Sequence, residues 1–564
     1  MVKTKKPWHA HYPEEIPKSI SYDEKPLHVY LQESVHRYEK MKALHFMGKE
    51  MTFSEVYTEA KKLANYMQSL GLKKGDRVAI MLPNCPQSVI SYYGALLAGA
   101  IVVQTNPLYT ERELEYQLKD SGATFIVCLD ILLPRVTNVR DQTDIEHTIV
   151  TGIKDYLPFP KNLIYPFIQK REYNMVVKVD PSEDTHVWSQ IIKLTSDNYT
   201  EVAVDPKKDL ALLQYTGGTT GHPKGVMLTH HNLVANVQMC RHWLYKSEEG
   251  KEVVLGVLPF FHVYGMTTVM NMSIMMGSKM VLLPKFDAAE VLKTIHKQRP
   301  TLFPGAPTIY VGLLNHRDLK KYDLSSIEAC ISGSAPLPVE VQEQFERETG
   351  GRLVEGYGLT ETSPVTHANF LWTKRVNGSI GVPWPDTDAK IVKIGTLEEL
   401  EQGEVGEIAV KGPQVMSGYW NNEEETAEVL KEDWLLTGDL GYVDEDGYFY
   451  IVDRKSDMII AGGYNIYPRE IEEVLYEHEA IQEVTVAGVP DRYRGETVKA
   501  YVVLKDNYNV SDDDLNKYCR KHLAAFKVPR IYEFRDELPK TAVGKILRRK
   551  LVEEDLQKQQ DNAE

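Results

Sequence analysis

Residues 209–228 read DLALLQYTGGTTGHPKGVML. Asp209–Tyr215 is an apolar run of strand length and Val226–Leu228 resumes it, so the stretch predicts a hairpin with a loop at its tip. In that loop, Tyr215–Gly225, three glycines (Gly217, Gly218, Gly221) permit positive φ angles and turn successive N–H groups toward one anion. Thr216, Thr219 and Thr220 add hydroxyl donors, Lys224 adds a compact charge, and Pro223 stiffens the exit. A Walker-type loop needs G-x-x-x-x-G-K-[ST] opening a helix, and no Gly-Lys-Ser/Thr stands here. The loop reads as a polyphosphate cradle of another kind. A flexible surface turn is the plainer alternative, and three glycines, a proline and a lysine at a strand end count against it.

Upstream of the hairpin, helix and strand signals alternate. Thr52–Glu55 is a capping box opening an amphipathic helix to about Leu70, and Arg77–Leu82 follows as a strand. Thr110–Glu113 opens another helix to about Lys119, with Thr124–Leu129 strand-like behind it. Val89–Val103 (VISYYGALLAGAIVV) is too short to span a bilayer and reads as a buried helix, then Gly99, then a buried strand. This alternation predicts an α/β fold with largely parallel sheet. Tyr156–Tyr173 breaks the pattern with prolines, aromatics and lysines. It suits an interfacial or substrate-access excursion, and its expected form is a loop packed on the body. After the turn-rich Asp444–Gly447 and the strand Tyr448–Val452, short strands and charged helices (Val484–Ala487, Val498–Leu504, Asp512–Leu523) predict a small α+β C-terminal domain.

The chain has 564 residues, which implies two or more domains. Hydrophobic content of 43% and charged content of 26% are ordinary for a globular protein. A formal charge of −15 argues against a nucleic-acid binder. Five scattered cysteines, with no C-x-x-C pair, offer neither a disulfide framework nor a zinc site and fit a reducing, cytoplasmic compartment. The N-terminus lacks the apolar core of a signal peptide.

Further segments strengthen the loop. Ser332-Gly333-Ser334-Ala335-Pro336-Leu337 follows the predicted strand Ile327–Ile331, and small residues there let a flat ligand approach the backbone. Glu355-Gly356-Tyr357-Gly358-Leu359-Thr360-Glu361-Thr362 supplies an aromatic face, a hydroxyl and a carboxylate. A carboxylate beside a phosphate loop makes sense through Mg²⁺, which takes one or two carboxylates plus phosphate oxygens and water; a solvated acid at a helix N-terminus is the alternative for Glu361. Trp434–Asp439 ends in an acid suited to a pair of ribose hydroxyls. Pro539–Arg549 (PKTAVGKILRR) sets Lys545 after a glycine in a basic run.

In this order YTGGTTGHPKG, SGSAPL, YGLTET, TGD, DRKSDMIIAGGYNIYPREIE (453–472) and PKTAVGK resemble the adenylate-forming, acyl-activating enzyme family, over about Met51 to Arg549. The resemblance implies a large N-terminal domain, 1–453, of parallel-sheet subdomains plus a distorted barrel, and a small mobile C-terminal domain, 454–564. It implies ATP and Mg²⁺, and two half-reactions: a carboxylate attacks the α-phosphorus of ATP, then a thiol displaces AMP. By motif position Lys545 is the catalytic lysine. Thr360 serves the α-phosphate, and Glu361 with Thr216 the magnesium. Tyr357 and Ser332–Pro336, with Glu355, Gly356 and Gly358, border adenine, while Asp439 and Arg454 hold ribose. The small domain would rotate about Ser456, where many relatives carry Asp or Lys. Gly462-Gly463-Tyr464 would then line a pantetheine tunnel.

Pro259–Gly265 (PFFHVYG) matches the family segment beside the acyl site, giving His262, Val263, Tyr264, Gly265 and Gly305 as substrate residues. No acid stands there to meet a substrate ammonium, so a neutral, apolar acid fits. DMIIAGGYNIYPREIE is most similar to fatty-acyl-CoA synthetases of the bacterial long-chain type. Small residues at Gly305, Ala306, Gly333 and Gly358 either make room for an alkyl chain or reflect tight packing. Met266 and Thr267 stand where some long-chain relatives carry a tryptophan gate, which leaves chain length open. The expected partners are fatty acid, ATP and CoA, without nucleic acid. Peripheral membrane contact at the inner face and homodimerisation stay open. The rival readings are a medium-chain or aryl-acid–CoA ligase and a non-catalytic nucleotide- or acyl-binding protein.

Overall fold

Strands Arg77–Met81 and Phe125–Leu129 are apolar on both faces and lie side by side in parallel, as a sheet covered on both sides requires. The computed structural model describes residues 6–216, 223–461, 464–491, 495–505, 508–541 and 544–561. Two compact units emerge, Trp8–Asp388 with Lys411–Asp433, and Met1–Pro7 with Ala389–Val410 and Trp434–Glu564.

The first unit contains an eight-stranded sheet. Its order is Gly418–Tyr419, Lys224–Thr229, Leu210–Thr216, Ile101–Gln104, Arg77–Met81, Phe125–Leu129, His147–Thr151, Thr185–Val187. From Leu210–Thr216 onward every neighbour is parallel. The predicted hairpin is present: Leu210–Thr216 and Lys224–Thr229 run antiparallel with Thr216 opposite Lys224. The helix of the long apolar run is Pro86–Leu97, buried at every residue, and Gly99 (φ +79°) turns the chain into Ile101–Gln104. A Cβ on Gly94 would lie 3.0 Å from the Ala60 carbonyl oxygen, so glycine lets helix Phe53–Ser69 cross closely. Both predicted capping boxes form, Thr52 with Glu55 and Thr110 with Glu113. Two further four-stranded sheets, both mixed, complete the unit: Val253–Gly256, Lys279–Leu282, Lys42–Phe46, Lys49–Thr52, and Ala329–Ser332, Arg352–Gly358, Val365–Ala368, Val382–Pro383.

One expectation is overturned. The segment read as a packed loop is a 3₁₀ turn, Ile153–Tyr156, followed by helix Lys161–Tyr173. The proline-rich text suggested a break, yet Pro158 and Pro160 precede the helix and only Pro166 lies inside it, forfeiting one hydrogen bond.

The second unit carries a sheet of Asp388–Val392, Gly406–Lys411, Trp434–Val443 and Phe449–Arg454, and beyond it the small α+β body. There Tyr464–Ile466, Ile459–Ala461, Gly495–Leu504 and Ile481–Asp491 pair antiparallel, with Ile531–Phe534 parallel beside Gly495–Leu504. Ile459, Ile471, Leu475, Val486, Val502 and Leu515 form its core, packing helices Pro468–Tyr476 and Asp512–His522 on the sheet. All five cysteines of the chain are free and buried. No helix among the described residues is long and apolar enough to cross a membrane.

Candidate active site

The strands flanking the glycine-rich loop end at Thr216 and begin again at Lys224; Gly217, Gly218, Thr219, Thr220 and Gly221 lie outside the described residues. The emerging strand is joined by a segment from far along the chain. Gly418–Tyr419 pairs antiparallel with Met227 and Val226, and Trp420 N donates to Gly225 O at 2.7 Å. The same segment holds the predicted carboxylate: Met416 N donates to Glu361 O at 2.8 Å, and Tyr419 OH donates to Glu361 Oε1 at 2.8 Å. Lys224 Nζ lies 2.6 Å from Glu425 Oε1 and 5.1 Å from the Tyr419 ring centroid. Burial, then the Glu361 charge, push the Tyr419 phenol well up, so it stays protonated as a donor. Residues 416–420 therefore link strand Lys224–Thr229 to the Glu361 carboxylate. Sequence reading passed over them, since a Gly-aromatic pair carries no charge and its meaning depends on a distant strand.

Glu361 sits in a three-residue 3₁₀ turn, Thr360–Thr362, not at the start of a regular helix. One carboxylate oxygen takes the Tyr419 hydroxyl, and a carboxylate has lone pairs to spare for a hard cation. Among the described residues no three acids, histidines or cysteines cluster as a metal cage. The donor set fits Mg²⁺ of the kind completed by phosphate oxygens and water.

Parallel strands Ala329–Ser332 and Arg352–Gly358 put Ser332 beside Glu355, so the SGSAPL and EGYG motifs leave the sheet together. The strand predicted from Ile327 begins two residues later, at Ala329. Glu355 is buried and its Oε2 accepts from Leu337 N at 3.2 Å, fixing the far end of SGSAPL. Ser334 is exposed at φ +71°, a left-handed conformation costly for serine and frequent where a ligand is clamped. Ala335 and Tyr357 are half-buried and Pro336 exposed; the Tyr357 ring meets His367 edge-on at 5.8 Å.

In the PFFHVYG segment, His262 Nδ1 accepts from Tyr264 N at 3.3 Å, capping the turn Val263–Gly265. A π-helical stretch, Met266–Asn271, follows; such stretches gather at functional sites. Tyr264, Thr268 and Met272 line a narrow apolar cavity of about 20 Å³ together with Cys240, Leu244 and Trp384. Of the expected substrate residues, Tyr264 faces this cavity, whereas His262, Val263, Gly265 and Gly305 are not among its lining. The small residues are explained by packing rather than room. A Cβ on Gly305 would come 2.6 Å from Tyr310 Oη, one on Gly333 2.9 Å from the Tyr264 ring, and one on Gly358 would strike the Pro364 backbone. Ala306 is buried in the same core.

The second unit gathers the other motif residues. Asp439 and Arg454 are cross-strand partners, with Arg454 Nε 3.3 Å from Asp439 Oδ1, and Asp439 is buried. Lys545 ends a tight turn in which Thr541 N donates to Lys545 O at 2.7 Å. Burial and the positive Arg454 lower its pKa to about 8 against the opposing pull of Asp439 and Asp457, so the Asp439–Arg454 pair and the lysine share one electrostatic neighbourhood. Arg548, which sequence reading left in an ordinary basic run, is the hub of this region. It lies 2.7 Å from Glu472, 2.9 Å from Asp457 and 3.3 Å from Asp453. Burial opposes its charge, but these three carboxylates hold its pKa up. Ser456 is exposed and donates to Asp457 Oδ1 at 3.1 Å. Gly462 and Gly463 lie outside the described residues, and Tyr464 opens strand Tyr464–Ile466.

A glycine-rich hairpin stitched to a carboxylate, with an Asp–Arg pair and a lysine of depressed pKa on a second unit, marks an α/β enzyme. The chain belongs to the AMP-binding enzyme family: that family's model matches residues 31–420, and the AMP-binding enzyme C-terminal domain matches 470–545. It is similar to the long-chain-fatty-acid–CoA ligase of Bacillus subtilis (strain 168), 58% identical over 98% of this chain and 99% of that one. It is also similar to the long-chain-fatty-acid–CoA ligase of Escherichia coli O157:H7, 41% identical over 98% of each chain. The crystal structure of the anthranilate CoA ligase AuaEII in complex with anthranoyl-AMP superposes with a TM-score of 0.83 at 29% identity, covering 94% of this chain and 96% of that one.

Proposed function

We propose that the chain is an ATP-dependent, AMP-forming ligase that joins a long-chain fatty acid to CoA. The observation that carries this is full-length similarity to fatty-acid–CoA ligases combined with an apolar, acid-free acyl side. In the first half-reaction the fatty-acid carboxylate attacks the α-phosphorus of ATP, forming an acyl–phosphate bond and releasing pyrophosphate. Thr216, Lys224 and the loop between them hold the β- and γ-phosphates, and Thr360 reaches the α-phosphate. Glu361, oriented by Tyr419, would hold Mg²⁺, which neutralises phosphate charge when bound. Asp439 accepts from the ribose hydroxyls beside Arg454, and protonated Lys545 balances the charge developing at the α-phosphate. In the second half-reaction the CoA thiol attacks the acyl carbonyl and AMP leaves.

The functional division falls at 453/454, with the C-terminal body turning about Ser456 to bring Gly462–Tyr464 to the thiol. The acyl chain occupies the cavity between Tyr264, Met272 and Trp384. About 20 Å³ holds no more than a water-sized guest, so Met272, which lines it, must swing aside for it. Fatty-acid-dependent ATP–pyrophosphate exchange in the absence of CoA tests the scheme, and formation of ADP would sink it. An acid panel scored by kcat/KM separates this reading from the aryl-acid one.

A further inference from the structure

Helix Lys161–Tyr173 is inside out. Its polar side faces the protein: Gln169 is buried and donates to Asp130 Oδ1 at 3.3 Å, and Asn162 on the same face is half-buried. Its apolar side faces outward, with Leu163 62% and Phe167 76% exposed and Ile164 and Ile168 exposed beside them. Positions 163, 164, 167 and 168 share one helical face. Phe159, immediately upstream, is 79% exposed and extends the patch. An ordinary surface helix does the reverse, and a contiguous apolar patch marks a surface meant to be covered. The charges around it are also specific. Residues 157–173 carry Lys161, Lys170 and Arg171 against Glu172 alone, in a chain of net charge −15.

We propose that this helix is an interfacial anchor that lies in the plane of an anionic lipid bilayer, Leu163, Ile164, Phe167 and Phe159 entering the acyl boundary while Lys170 and Arg171 meet headgroup phosphates. Charge selects lipid over a second copy of the chain. A second copy would offer this face the same excess of Lys161, Lys170 and Arg171 over Glu172 and no complementary acids, whereas an anionic surface complements it. A bilayer is also where a long-chain acid resides, an argument that rests on the ligase reading above.

Sedimentation with vesicles, without ATP, acid or CoA, keeps the two readings separable. The intact protein binds phosphatidylglycerol-containing vesicles and not pure phosphatidylcholine, and releases in about 0.5 M salt, where surface charges are screened. Leu163→Glu/Phe167→Glu weakens binding at least tenfold while leaving turnover of a soluble short-chain acid within twofold. Because the native cysteines are buried, a solvatochromic thiol label on Phe167→Cys reports the helix selectively and shifts blue on anionic vesicles. Failure of the intact protein to bind, equal binding by the double variant, or conversion of a dimer to a monomer by those substitutions overturns the proposal.

Discussion

At the residue scale the sharpest consequence concerns Lys545. With a pKa lowered to about 8 by burial and Arg454, it is protonated below pH 8 and loses its charge as pH rises through that value. Adenylation kcat/KM for ATP is therefore expected to fall above pH 8, since this parameter reports the free enzyme's ionisations. Pyrophosphate exchange measured across pH 6.5–9.5, roughly, checks it. Lys545→Ala should cut adenylation on the order of a hundredfold or more, yet spare thioester formation from supplied acyl-adenylate. Equal loss in both steps would refute domain alternation. Asp439, Arg454 and Lys545 were legible as a set because each stands inside an ordered motif. Tyr419 and Arg548 were not. Their partners, Glu361 at 58 residues' separation and Asp453 at 95, become neighbours only through long-range pairing that no local pattern announces.

At the element scale, features closed by local chemistry were read correctly. Thr52–Glu55 and Thr110–Glu113 cap their helices because donor and acceptor lie three residues apart. The hairpin around the phosphate loop formed for the same reason, two strand-length apolar runs flanking a turn. Helix Lys161–Tyr173 escaped reading because Pro158, Pro160 and Pro166 read as breakers, although only Pro166 lies inside the helix. The π-helical stretch Met266–Asn271 carries a prediction of its own. It sets Thr268 and Met272 against the narrow cavity, so bulk at position 272 should shorten the accepted chain. Met272→Trp is expected to lower kcat/KM for a sixteen-carbon acid about tenfold or more while sparing an eight-carbon acid, the loss of a few methylene contacts being worth that much. A competition assay with both acids measures the ratio directly, and an unchanged ratio would place the alkyl chain elsewhere.

At the scale of the whole molecule, acid stability follows from buried histidines. His230 and His367 are held neutral by burial with pKa values of about 3, and His28 with one of about 4. The unfolded chain, titrating at about 6.5, binds these protons first, so stability falls as pH drops from about 6.5 toward 4. Each group contributes up to about 1.4 kcal/mol per pH unit. Glu59 and Asp130, whose burial raises their pKa, oppose the trend at its lower end. Denaturant midpoints at pH 7, 6 and 5, roughly, should therefore decline steadily. The cysteines bear on the molecule's chemistry in another way. Cys85, Cys128, Cys240, Cys330 and Cys519 are buried, with burial raising every thiol, Cys85 to about 12. A catalyst that passes a mixed anhydride to a thiol is thereby kept from acylating itself, and CoA disulfide finds no thiolate with which to form a mixed disulfide. A chromogenic thiol reagent should find no reactive sulfur on the native chain and all five after unfolding.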